Sequence, residues 1–184
     1  FNSKDLCMIE HMDDILTSGI DSLKIEGRMK TALYVATVAR TYRKAIDDYL
    51  KDPKLYEANM EWYKEEIGKC TYREFTTGFY FGKPGSDAQI YNSNTYVKNY
   101  TYLGTVEEAD GKGRCRIEQK NKFSVGETIE IMKPDGRNLE VVVKSICDED
   151  GNEQESAPHP KQILWVDLGA DVDKYDILRK KEDN

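Results

Sequence analysis

The sequence predicts an α+β chain in two parts, a helical remnant of a TIM-like α/β barrel followed by a small antiparallel β-barrel. Three observations predict it. Between Ile20 and Lys30 a short alternating run, with Leu23 and Ile25 apolar, gives way after Gly27 to helical spacing, the strand-to-helix junction of α/β folds. Val35, Val38, Tyr42, Ile46 and Tyr49 then recur every three or four residues, as one face of a long helix does. After Tyr100 the apolar period changes to two, punctuated by turn signals at Asp110-Gly111, Pro134-Asp135-Gly136 and Asp150-Gly151.

Taken in order, Phe1 to Lys4 read as the end of a strand. Ser3 or Asp5 is placed to cap a helix running to about Ser18, with Ile9, Met12, Ile15 and Leu16 as its apolar stripe and Gly19 as its stop. A strand at Leu23–Ile25 and a helix from Arg28 to about Lys51 complete one αβα slice, which cannot close a sheet by itself. Asp52-Pro53 ends that helix, because the residue before proline avoids helical backbone. A further helix runs from about Lys54 to Ile67, carries Tyr56, Met60, Tyr63 and Ile67 on one face, and stops at Gly68. The aromatic stripes read as core.

The predicted divisions are residues 1–70 for the barrel piece, 71–99 for an aromatic and glycine-rich connector, and 100–184 for the β-barrel. Phe75, Phe79, Tyr80 and Phe81 of the connector suit either a stacking platform or packing between domains, and packing is the preferred reading. Six strands are expected beyond it: Tyr100–Glu108, Arg114–Gln119, Thr128–Met132, Leu139–Ile146, Ile163–Leu168 and Ile177–Lys180. The run Phe123 to Glu127 and the closing Asp173-Lys174-Tyr175-Asp176 resemble the second domain of translation elongation factors, in fold only.

Composition narrows the function classes. With 33% charged and 39% hydrophobic residues among 184, the chain reads as globular rather than disordered, and no apolar run is long enough for a membrane span. A cytoplasmic location is the corresponding expectation, with no membrane partner. The net charge of −7 is concentrated in residues 101–184, where 19 acidic side chains face 13 basic ones. That tail is therefore a poor phosphate binder. Cys7, Cys70, Cys115 and Cys147 are widely spaced and form no Cys-x-x-Cys pair, so they read as free thiols rather than a zinc site. Neither His11 nor His159 has an obvious catalytic partner, and no zinc-protease helix, nucleophile elbow or phosphate loop is present.

What remains is the junction itself. Glu26 and Arg28 flank Gly27 where the open end of a strand would be, with Lys24 and Lys30 close by. One carboxylate and three cations suit acid/base work on an anionic ligand. A Glu26–Arg28 ion pair joining strand to helix is the other reading. If RNA binds, Lys4, Lys24, Arg28 and Lys30 form the better docking surface.

The runs Asn2-Ser3-Lys4-Asp5-Leu6-Cys7, Ile20 through Lys30, Tyr34-Val35-Ala36 and Tyr42 through Asp47 resemble the collagenase-like U32 peptidase family. Phe75-Thr76-Thr77-Gly78-Phe79-Tyr80 and Tyr102-Leu103-Gly104 fit its C-terminal part more loosely. The resemblance implies a longer protein with a barrel-like catalytic domain, of which this chain, starting at Phe1, is a C-terminal fragment. Its partner would be the missing N-terminal barrel of the same protein, and its substrate RNA or a peptide. Family members are peptidases of unknown catalytic type, and several resemble proteins that install a 5-hydroxyl on a pyrimidine of tRNA or ribosomal RNA. On that basis Glu26, Arg28 and Lys24 are the expected catalytic residues, and Lys4, Lys30 and Asn2 the substrate-binding ones. The residues identify no cofactor. Cys7, inside a family motif, would supply one ligand to an iron–sulfur cluster in the longer protein, or else is a buried thiol; no cluster is expected in this chain alone. By itself the chain is expected to be a non-catalytic accessory module, with a collagenase-like protease as the alternative for the longer protein.

Overall fold

The computed structural model describes residues 2–91 and 96–182. Phe1 of the predicted first strand and residues 92–95 of the predicted connector lie outside them. The chain divides into two compact units, Phe1–Asn99 and Tyr100–Asn184.

The first unit opens on β1 (Asn2–Ser3) and β2 (Asp5–Leu6). The expected early helix is shorter than its apolar stripe suggests: a 3-10 turn at Ile9–His11 leads into α1 (Met12–Thr17). Asp5 is unavailable as a cap because its backbone belongs to a sheet. Its N–H donates to Glu74 O at 2.9 Å and that of Cys7 to Thr76 O at 2.9 Å, in a parallel pairing of β2 with β3 (Phe75–Thr76). The expected strand at Leu23–Ile25 is also absent. Residues 20–26 are irregular, and among the described residues none makes a backbone hydrogen bond. Alternation supplies the pattern of a strand, but only a neighbouring strand supplies the ladder.

Helix α2 (Ala32–Lys51) begins later than Arg28 because Thr31 caps it, its hydroxyl accepting from the Tyr34 N–H at 3.3 Å. Asp52 then takes extended backbone and caps α3 (Pro53–Ala58), with proline at the first helical position, where no N–H is needed. The single helix expected over 54–67 is two, α3 and α4 (Met60–Ile67), parted at Asn59, whose amide donates to Asp48 at 2.9 Å. Tyr56 of α3 is buried, its ring stacked 5.7 Å from that of Tyr63 on α4, and it donates to Ile9 O at 2.7 Å. Arg40 and Glu66 form an ion pair with side chains only 5% and 1% exposed. The connector is stitched to the start of the chain, through β3 on β2 and through β4 (Gln89–Ile90) antiparallel to β1.

The second unit is a curled antiparallel sheet of eight strands: β5 (Tyr100–Ala109), β6 (Arg114–Glu118), β7 (Thr128–Met132), β8 (Asn138–Val142), β9 (Ser145–Cys147), β10 (Glu153–Gln154), β11 (Ile163–Asp167) and β12 (Ile177–Lys181). They lie in the order β10-β9-β11-β6-β5-β12-β7-β8. The strand expected over Leu139–Ile146 breaks into β8 and β9 because Lys144 N leaves to bond Asp167 O at 2.8 Å. Register shifts between Val106 and Glu108 and between Leu178 and Arg179 bend the sheet on itself. Alternate residues point inward and make a core of fifteen buried side chains, including Phe123, Ile131, Ile117 and Leu164. Among the described residues no helix is long and apolar enough to cross a membrane.

Candidate functional site: a charged cavity in the first unit

A cavity of about 1040 Å3 is lined by the loop Ile20–Lys30, by Asp5 and Leu6 of β2, by Tyr34, Val38 and Tyr42 of α2, and by Arg73 and Tyr80. The loop crosses close over α2. A Cβ on Gly27 would stand 3.0 Å from the Tyr34 ring, so a side chain there would have to push that ring aside by a few tenths of an ångström.

Four of the sequence-predicted residues, Lys24, Glu26, Arg28 and Lys30, line this cavity. Glu26 does not pair with the Arg28 guanidinium. Its carboxylate accepts from the Arg28 backbone N–H at 3.3 Å and sits 3.6 Å from Lys24 Nζ, with both side chains largely exposed. The Arg28 side chain makes no ion pair among the described residues and is free to meet a ligand. Lys30 is held more firmly: its Nζ lies 3.4 Å from Asp5 Oδ2, 3.4 Å from Thr71 O, and 5.0 and 5.1 Å from the centres of the Tyr34 and Tyr96 rings.

Asn2 and Lys4 stand apart from this group. Asn2 is exposed on β1, Lys4 pairs with Glu74 at 3.0 Å, and neither lines the cavity. Cys7 faces a separate pocket of about 20 Å3, shared with Cys70, Tyr34 and Tyr42. Its sulfur lies 3.6 Å from Tyr42 Oη, and burial pushes the thiol pKa up, disfavouring the thiolate a metal needs. Tyr42 Oη accepts from Met8 N at 2.8 Å, and burial raises its pKa too. The four cysteines are free, and among the described residues no group of three or more His, Cys, Asp or Glu is placed to hold a metal. Among the described residues these groups do not by themselves make an iron–sulfur site.

Asp5 and Arg73, which the sequence did not mark as site residues, complete the wall. Asp5 accepts from Arg73 N at 2.9 Å and from Arg73 Nε at 2.9 Å. Burial opposes its ionisation, but these hydrogen bonds and the charges of Lys30 and Arg73 outweigh burial and hold its carboxyl below the usual range. The cavity wall carries five basic residues, Lys24, Arg28, Lys30, Arg43 and Arg73, against the acidic Asp5, Asp21 and Glu26. Arg43 is already paired with Asp47 at 2.6 Å, so in a chain of net charge −7 the wall keeps a local excess of about one positive charge, which concave walls concentrate and which suits an anionic ligand.

Comparison with known proteins places the chain. Residues 1–90 match the model of peptidase family U32, and residues 98–179 match that of the family's C-terminal domain. The chain belongs to peptidase family U32. Among similar proteins, tRNA hydroxylation protein P1 of Bacillus subtilis is 39% identical over 96% of this U32 chain and 42% of its own length. A Methanocaldococcus jannaschii protein named as an uncharacterized protease is 36% identical over 78% of the chain and 35% of its own length. The crystal structure of the C-terminal domain of a Geobacillus thermoleovorans U32 peptidase shares 32% identity, covering 45% of this chain and 92% of that one, with a TM-score of 0.41. The chain thus spans about two-fifths of the length of the B. subtilis relative.

Proposed function

We propose that the U32 protein carrying this sequence acts in RNA modification, hydroxylating a pyrimidine of tRNA or ribosomal RNA at its 5-position. The observation that carries this reading is the 39% identity, along nearly the whole chain, to a protein named for tRNA hydroxylation. The positive excess around the large cavity supports it, since RNA presents phosphates. In this reading Arg28 and Lys24 meet the anionic ligand and Glu26 is the acid/base group, with Lys30 in support. Lys4 and Asn2 contact more distant parts of the substrate. The action is cytoplasmic.

The remainder of an α/β barrel is the proposed partner of this stretch. Ile20, Leu23 and Ile25 lie on a segment without backbone hydrogen bonds and are 53%, 39% and 44% exposed, as residues awaiting a neighbouring strand would be. The 184-residue chain alone is then an accessory module without turnover. The test is a strain deleted for the gene and complemented with the full-length protein. Wild type restores hydroxylated pyrimidine measured by mass spectrometry of digested RNA, and Glu26→Gln and Arg28→Ala do not; restoration by both variants overturns the site assignment.

Proteolysis is the second reading, favoured by the family description and by the protease name of the M. jannaschii relative. Gelatin cleavage by the purified full-length protein, lost in Glu26→Gln, would establish it in place of RNA modification.

A further inference from the structure

Asp5 has more positive charge around it than it neutralises. Arg73 approaches it along one edge of the guanidinium, with Nε at 2.9 Å and Nη2 at 2.8 Å from Oδ1, while the Arg73 N–H and Lys30 Nζ approach Oδ2 at 2.9 and 3.4 Å. Two cations on one carboxylate leave one positive charge in surplus. A guanidinium bonded along one edge is fixed in orientation, and its opposite end is left to meet another pair of oxygens. Arg73 Nη1 has no protein partner among the described residues, and it is not among the buried polar atoms lacking one, so its donors reach open space. The Arg73 side chain is 27% exposed and that of Lys30 19%, and both residues line the large cavity.

The same cavity has an aromatic wall. Tyr80 lines it and is 63% exposed, on a turn whose other two rings, Phe79 and Phe81, are 77% and 61% exposed. Phe81 is steadied by the His11 ring, 4.5 Å away between centres. Fixed cations beside open aromatic faces are the pairing by which single-stranded nucleic acid is held, backbone on charge and base on ring.

Resting on the RNA reading above, we propose that Arg73 and Lys30, oriented by Asp5, seat a phosphodiester of single-stranded RNA while Tyr80 offers a stacking face to an adjacent base. Asp5 is a positioning residue; Arg73, Lys30 and Tyr80 touch the ligand.

The experiment is fluorescence anisotropy of a short labelled oligouridylate titrated with the 184-residue chain over a range of salt. Arg73→Ala weakens binding about tenfold and lowers the salt slope by about one, the signature of a lost phosphate contact. Tyr80→Ala weakens it about tenfold with the slope unchanged. Arg73→Lys keeps the charge without the fork, so affinity falls severalfold at constant slope, which guards against misreading an unfolded Arg73→Ala. Asp5→Asn, checked for folding by circular dichroism, weakens binding; tighter binding, as expected if Asp5 merely neutralised its neighbours, overturns the positioning role. Lys112→Ala on the second unit leaves affinity unaltered. RNA binding lost in Arg28→Ala but unchanged in Arg73→Ala, Lys30→Ala and Tyr80→Ala overturns the seat and leaves the RNA reading standing. No binding by the wild type, as this chain or in the full-length protein, overturns both. Displacement of the RNA by malonate but not by inorganic phosphate reassigns the seat to a carboxylate and overturns the phosphodiester.

Discussion

The two units spend their apolar residues in different ways. Of the large hydrophobic side chains exposed among the described residues, thirteen lie in the first unit and three in the second. The fifteen-residue buried cluster belongs wholly to the second. A sheet that curls on itself turns every second side chain into one interior and needs nothing else to cover it. In the first unit α1, α3 and α4 pack against α2 but leave Leu6, Ile20, Leu23, Ile25 and Met29 in contact with water. The second unit covers its own apolar face, whereas the first leaves more of its large hydrophobic side chains on the surface.

This contrast can be broken by substitution. The largest effect is expected at Phe123→Ala, a fully buried ring in the second unit, which should cost about 4 kcal/mol in chemical denaturation followed by near-ultraviolet circular dichroism. A cost below about 1 kcal/mol would mean that the sheet's interior is not the close-packed core described. In the first unit, Arg40→Ala leaves the buried Glu66 with Lys69 Nζ, 3.4 Å away, as its remaining cation and should cost up to about 3 kcal/mol, whereas replacing both Arg40 and Glu66 by methionine costs less. Equal losses would show that packing rather than charge pairing matters there. Tyr56→Phe removes the donor to Ile9 O and the acceptor for Met12 N, and should cost about 1–2 kcal/mol by the same denaturation measurement.

Acid sharpens the comparison further. Asp5 is more acidic folded than unfolded, so its ionised form favours the folded state. Its contribution is full above its ordinary pKa of 3.8 and disappears as pH falls through the lower folded value. Asp5→Asn should abolish that part of the acid sensitivity of the first unit, read by helical ellipticity against pH; an unchanged acid profile removes Asp5 from the account. The smallest effect is expected at Leu23→Ser, within about 0.5 kcal/mol, because this side chain is already 39% exposed. A large loss would mean that Leu23 is packed against the buried residues of the first unit rather than facing water.

Much of the fold was legible. The strands of the second unit follow from alternation and turn residues, and Thr128–Met132 matches its expected range residue for residue, because antiparallel neighbours joined by short turns satisfy each other locally. The failures share one cause. Asp5 looks like a helix cap until Arg73, 68 residues away, takes its carboxylate. Leu23–Ile25 reads as a strand, but no ladder forms beside it. Lys24, Glu26, Arg28 and Lys30 cluster in the sequence and line one cavity, whereas Arg73 carries no local signal and Tyr80 stands out only as one ring of an aromatic connector whose preferred reading is packing.

By itself the sequence determined the two-part division of apolar periods, the long α2 with its proline stop, and the charge-rich loop around Gly27, because each depends on contacts within a few residues. Only the tertiary structure decided that Asp5 binds Arg73 and Lys30, that Glu26 turns to Lys24 rather than to the Arg28 guanidinium, and that an acidic chain has a basic hollow. Those outcomes turn on which distant groups come within about 3 Å of one another, the range at which hydrogen bonds act and periodicity carries no information.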